Sequence, residues 1–240
     1  MRRSISSTMG FRVEAKDGEI GHVDAFYFDD ERWAIRYLPV NTGPRLLGKQ
    51  VPVSPVLVKD VEWDNRCISL IVGADDIEKS PDVDSKMPIA RRMEAAISKH
   101  YGYPMYWGGD DLWGAGMSPR LLAREQTPEE EHRLIGEEDN DDTHLRSSRE
   151  VSGYRIHAQD GDLGHLEDFL FNDHSWQIEY VVLDTKNWLP GKKVLINPHV
   201  ISSMSWSESR VYVDLVKDSI EGSPGVDTVT ESESEDQAKE

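Results

Sequence analysis

The sequence is short of three things, and each absence narrows its reading. It has one cysteine, Cys67, which excludes an intrachain disulfide and fits a reducing compartment. It has no apolar run near the roughly 20 residues that a membrane-spanning helix needs. The opening MRRSISSTMG carries charge without the apolar stretch of a secretory leader, so the expected location is cytoplasmic. Positive charge is scarce as well: 27 Lys and Arg stand against 45 Asp and Glu, for a net charge of −18. Proteins that hold a phosphate backbone use Lys and Arg to displace its counterions, so nucleic acid is not an expected partner. A G-x-S-x-G elbow, a Walker loop and a G-x-G-x-x-G turn are all missing, and neither a cofactor nor an enzymatic activity is expected. Seven Trp and eight Tyr nevertheless supply large areas to bury. Folded domains with acidic, solvated segments are therefore expected.

What the chain does contain is a repeat. Residues 3–84 match residues 146–227 without a gap at a spacing of 143, and roughly a third of the positions are identical. The phrase DGEIGHVDAFYFDD at residues 17–30 returns as DGDLGHLEDFLFND at 160–173. Trp33, Tyr37, Gly48-Lys49, Pro55 and Trp63 return as Trp176, Tyr180, Gly191-Lys192, Pro198 and Trp206. A unit of this size can form a small domain. The expected organisation is a first domain at 1–84, a helical, aromatic and acidic linker at 85–143, a second domain at 144–227 and a disordered acidic tail at 228–240.

Each copy is written in strands. Asp17-Gly18 and Asp160-Gly161 separate alternating runs and suit a type I′ hairpin, whose two central residues both take positive φ. Gly21 and Gly164 sit where apolar residues step by three rather than two, which marks a bulge or a corner. Asp29-Asp30 and Asn172-Asp173 suit the next turn. Pro52 lacks an amide hydrogen and places its strand at an edge or an end. About six short strands per copy, without a long helix, suit a small closed antiparallel barrel. Trp33, Trp63, Phe26, Tyr37 and their counterparts then read as its core.

In the linker, PIARRMEAAISKHYG reads as a helix from Pro88 to about Tyr101, with Pro88 in the first turn and Gly102 at the stop. Ile89, Met93, Ala96-Ile97 and Tyr101 share one face at helical spacing. Five aromatics follow closely: Tyr101, Tyr103, Tyr106, Trp107 and Trp113. They are candidates for a protein-contact patch, or they cap a domain of the same chain. A second short helix is expected to start near Thr127-Pro128. His22 with Asp24, Asp29 and Asp30, and His165 with Glu167, Asn172 and Asp173, are weaker candidates for a ligand or a divalent metal, which favours such N and O donors. As strand and turn residues they need no such role. Cys67 reads as a structural thiol.

These blocks carry a resemblance. DGEIGHVDAFYFDD followed by W-x-I-R-Y, its second copy followed by DTKNWLPGKKVLINP, and the linker SPDVD…PIARRMEAAISKHYGYPMYW resemble PRC-barrel proteins with two repeats. The same module forms the cytoplasmic domain of the photosynthetic reaction-centre H subunit and part of a ribosome-maturation factor. The resemblance implies two small antiparallel PRC-type β-barrels joined by a helix-containing linker. It also implies a non-enzymatic module for protein binding or assembly. Its partner is an unidentified protein; either the two barrels pack as a pseudo-twofold pair or two chains dimerise through the linker, and a homodimer in solution is expected. The alternatives are an accessory of the photosynthetic light reaction and electron transport, associated peripherally with a membrane complex, and a divalent-metal or small-ligand binding protein.

Overall fold

The computed structural model describes residues 1–43, 48–82, 89–121, 128–135, 145–185 and 193–221. The first copy of the repeat forms β1 (Arg2–Ser4), α1 (Ile5–Thr8), β2 (Arg12–Ala15), β3 (Gly18–Val23), β4 (Tyr27–Asp29), β5 (Ala34–Thr42), β6 (Gln50–Val53), β7 (Val58–Glu62), β8 (Cys67–Leu70) and α2 (Ala74–Glu78). The linker forms α3 (Arg91–Tyr101) and α4 (Pro128–Ile135). The second copy forms β9 (Leu145–Ser147), α5 (Ser148–Val151), β10 (Arg155–Ala158), β11 (Gly161–Asn172), β12 (Ile178–Asp184), β13 (Lys193–Ile196), β14 (Ile201–Ser205), β15 (Arg210–Val213) and α6 (Lys217–Glu221). The expected first helical residue, Pro88, the linker beyond Ile135 and the acidic tail lie outside the described residues.

The protein is mainly β, with two curled sheets, one of them a half-barrel. One has eight strands and the other seven, because β3 and β4 are separate while their counterpart β11 is continuous. Pairing is antiparallel except for β2 with β8 and β10 with β15, which are parallel. The all-antiparallel expectation is corrected at that pair. β6 pairs with β5 alone among the described strands, with Pro52 opposite Pro39, so Pro52 does sit on an edge.

The two compact units do not follow the copies of the repeat. The smaller unit comprises Met1–Ser7, Glu150–Asp173 and the chain from Ile178 onward. The larger comprises Thr8–Arg149 and His174–Gln177. Each unit therefore takes its first strand from the other copy. β1 pairs with β11, Arg3 opposite Phe171, in the smaller unit. β9 pairs with β4, Arg146 opposite Phe28, in the larger. Arg3 and Arg146, Phe28 and Phe171 are equivalent positions of the repeat, so the exchange is reciprocal.

The local chemistry of the repeated phrase explains the hairpins. The β2–β3 turn falls on Lys16 and Asp17, with Ala15 opposite Gly18. Among the described non-glycine residues, positive φ occurs at Trp33, Arg66, Trp176 and Ser209, not at Asp17, so the type I′ expectation is corrected. Asp17 is committed elsewhere: its Oδ1 accepts the amide of Ala74 at 2.8 Å, at the start of α2. Asp160 does the same for Lys217 at the start of α6, at 3.1 Å. The expected bulge is present, as the ladder slips between Val13 and Glu14, opposite Gly21 and Glu19. A Cβ on Gly21 would lie 2.1 Å from the Asn41 carbonyl oxygen, and one on Gly164 2.0 Å from that of Asp184. Both positions admit only glycine, because the neighbouring strand's backbone already fills the space.

In the larger unit, one cluster joins the sheet to the linker helix. Tyr27, Tyr37, Leu145, Ile89 and Ile97 pack together, with Met93, Tyr101 and Tyr103 against them. α3 stops where Gly102 takes the left-handed conformation, φ 71°, as its lack of a Cβ allows. Ala96, expected on the buried face, is exposed, and Glu94 is buried in its place.

Candidate functional site

The most concentrated chemistry lies where the linker crosses β4 and β5. Arg36 on β5 is fully buried, a position that demands a paired charge. Its Nη2 donates to Asp29 Oδ2 at 2.9 Å and its Nη1 to the Leu112 carbonyl at 2.7 Å. The guanidinium lies 3.8 Å from the centre of the Tyr106 ring and 4.9 Å from that of Trp113, within the range in which a ring face attracts a cation. Asp29 also shapes its own turn, because its Oδ1 accepts the amides of Glu31 and Arg32 at 2.9 and 3.0 Å. Arg32 then holds the linker backbone through the carbonyls of Gly109 and Asp111.

Glu94 of α3 enters the same cluster. The Tyr106 hydroxyl donates to its Oε2 at 2.8 Å, and Arg91 Nη1 lies 3.6 Å from its Oε1. Burial pushes the Glu94 carboxyl up to about 8, against the opposing pull of Arg91, Tyr106 and Arg36. The group is thus mostly protonated at neutral pH. Burial also raises the Tyr37, Tyr103 and Tyr106 hydroxyls and takes that of Tyr101 to about 12.

The five linker aromatics are placed within this unit. Trp113 is 1% exposed and Tyr106 5%, while Tyr101, Tyr103 and Trp107 are half-buried. Tyr101 and Tyr103 stack at 6.4 Å, and Arg91 lies over Trp107 at 4.4 Å. Trp113 Nε1 donates to the Ser175 carbonyl at 2.8 Å, and Trp107 Nε1 to that of Leu134 at 3.2 Å. Tyr101, Tyr103, Tyr106 and Trp113 pack within the larger unit, while the contacts of Trp107 lie within the linker itself.

The histidine pairs are not gathered into a ligand set. His22 is exposed on β3, opposite Arg12, and His165 is half-buried on β11, opposite Arg155. Their neighbouring acids serve the fold. Asp24 accepts from Gln50 Nε2 at 2.9 Å and pairs with Arg149 at 2.9 Å. Glu167 pairs with Lys193 at 2.6 Å. Gln50 and Lys193 are equivalent positions, as are Asp24 and Glu167, so both copies make the same tie with different chemistry. Asp30 pairs with Arg146 at 2.6 Å and Asp173 with Arg3 at 3.1 Å. Each of these acids thus clamps the strand supplied by the other copy. Among the described residues, no group of three or more His, Cys, Asp or Glu is placed to hold a metal. Burial pushes the Cys67 thiol up, away from the reactive thiolate.

Sequence reasoning missed Arg36, Asp29 as its partner, and Glu94. Their counterparts are Glu179, Asn172 and none, and a position without a repeated identity gave no signal. Comparison with known proteins adds no assignment: no protein-family model matches the chain, and no curated protein matches it significantly.

Proposed function

We propose that the chain is a cytoplasmic, non-enzymatic protein-binding module of the PRC-barrel type, its two curled sheets being the two barrels encoded by the repeat. The observation that carries this reading is a group of exposed aliphatic side chains on the larger unit. Ile71, Met117 and Leu121 are 45%, 54% and 60% exposed. They belong to the neighbourhood of two packed single turns of 3₁₀ helix, Pro55–Leu57 and Pro119–Leu121. The Ile71 amide donates to the Leu57 carbonyl at 2.9 Å, and Arg120 Nη2 to that of Lys59 at 3.2 Å. Apolar side chains grouped at a surface mark sites of protein contact. The acids of the repeated phrase are consistent with this reading, since Asp17, Asp24, Asp29 and Asp30 each hold part of the fold.

The test compares tagged wild-type chain with the double variant Met117→Asp/Leu121→Asp as bait in native lysate. The expected result is one or a few proteins retained by the wild type and lost by the variant, with equal melting temperatures for both baits. Equal recovery on both baits overturns the proposal.

A further inference from the structure

The two outermost strands β7 and β14 are equivalent in the repeat but opposite in chemistry. Each ends its sheet, β7 pairing only with β8 and β14 only with β15 among the described strands. β7 reads VKDVE, so three of its five residues are charged. Its Lys59 carbonyl is also occupied by Arg120. Such charges are the usual protection of an edge against pairing with another chain. β14 reads ISSMS and is followed by Trp206, with no charge from Val200 to Trp206. Ser202 and Ser203 are exposed, and Ile201, Met204 and Ser205 are half-buried. Ser202 occupies the position of Lys59, so its carbonyl faces out of the sheet, with no counterpart of Arg120 on it among the described residues. Trp206 is 58% exposed, whereas its counterpart Trp63 packs edge-on against Phe11 at 5.7 Å.

We infer that β14 is a self-pairing edge, and that two copies of the chain associate by running their β14 strands antiparallel about a twofold axis at Ser203. This goes beyond the partner-binding patch of the larger unit and uses a different surface. The occupant is a second copy because of charge. Two chains of net charge −18 repel one another over most of their surfaces, and an uncharged strand is where they meet without opposing acids. A foreign partner drawn by the acidic surface would gain nothing electrostatic from this strand. Antiparallel self-pairing also closes: the same patch serves both copies and leaves no free end for further growth. With the axis at Ser203, Ser202 of each copy faces Met204 of the other, and Trp206 faces Val200 and lies diagonal to Ser202.

The test is the mass of the full-length chain in solution, by light scattering and sedimentation equilibrium, at low and high salt. The expected result is a dimer that tightens as salt rises, because screening removes the long-range repulsion while the uncharged interface loses nothing. Ser203→Asp sets two carboxylates opposite each other at the axis and weakens the dimer at least about tenfold. Ser203→Asn, of similar size and no charge, retains it. The larger unit already carries Asp60 at this position, so an aspartate there is compatible with the fold. A reading free of variants is amide exchange in the wild type, where protection of Ser202 and Met204 rises with protein concentration. A monomer at every concentration and salt, a dimer indifferent to Ser203→Asp, or unprotected amides in the dimer each overturn the inference. The Met117→Asp/Leu121→Asp variant keeps the dimer, so failure of the partner-binding reading and failure of this one are distinguishable.

Discussion

Glu94 shows how one side chain ties stability to pH. Its carboxyl titrates at about 8 in the fold against an ordinary value of 4.5. Between those values the folded chain holds a proton that the unfolded chain has released, so the folded state binds more protons and stability falls as pH rises. The contribution is complete below the unfolded value and is lost as pH climbs through about 8. Over that window the loss is on the order of a few kcal/mol. Glu94→Gln keeps an acceptor for the Tyr106 hydroxyl and removes the titration. Thermal unfolding of both chains at pH 5.5 and pH 9 checks this: the variant is expected to gain relative to wild type at the higher pH. An equal pH dependence in the two chains would remove Glu94 from the account.

The equivalent strands β1 and β9 are held by different forces. β9 buries Leu145 and Ser147 at 0% and 3% exposure. β1 has no fully buried residue and is held by charge-assisted contacts: Arg2 with Glu179 at 2.5 Å, Arg3 with Asp173 at 3.1 Å, and Ser4 and Ser6 on Asp168 at 2.5 and 2.6 Å. Partly exposed ion pairs weaken with salt, whereas apolar burial does not. Amide exchange along Leu170–Asn172, beside β1, is therefore expected to quicken from low to high salt, while exchange along Tyr27–Asp29, beside β9, quickens less, because the Arg146–Asp30 pair is backed there by the buried Leu145. The strands themselves were legible in the sequence, because period-two alternation, Gly21 and Pro52 report on the local backbone. Equally legible were the α3 stop at Gly102 and much of the aromatic core, with a correction: Trp206, expected inside, is 58% exposed, and Trp63 and Tyr180 are only half-buried. The ownership of β1 and β9 was not, since identical arginines at positions 3 and 146 fit either copy. Nor was the Arg36–Asp29–Glu94 cluster, which joins residues distant in sequence and absent from one copy.

For the whole molecule, the exchange determines which pieces can stand alone. A fragment of residues 1–84 retains β4 without β9, and its Tyr27 and Tyr37 lose both Leu145 and the helix that covers them. A fragment of residues 8–177 contains every element of the larger unit. The longer fragment is expected to give a cooperative melt with a near-ultraviolet aromatic signal, and the shorter one neither. A cooperative melt from residues 1–84 would show that the linker and β9 are dispensable. The exchange also has a consequence in time. β1 is synthesised well before its acceptor β11, which follows only after the linker and the rest of the first copy. It must wait unpaired, and an apolar waiting strand is prone to aggregate. β9 emerges when its acceptor β4 already exists. A strand that waits is written RRS, solvated and charged; a strand that docks at once is written LRS, with a leucine to bury. The order of synthesis thus gives a reason why two equivalent positions in the fold carry such different side chains.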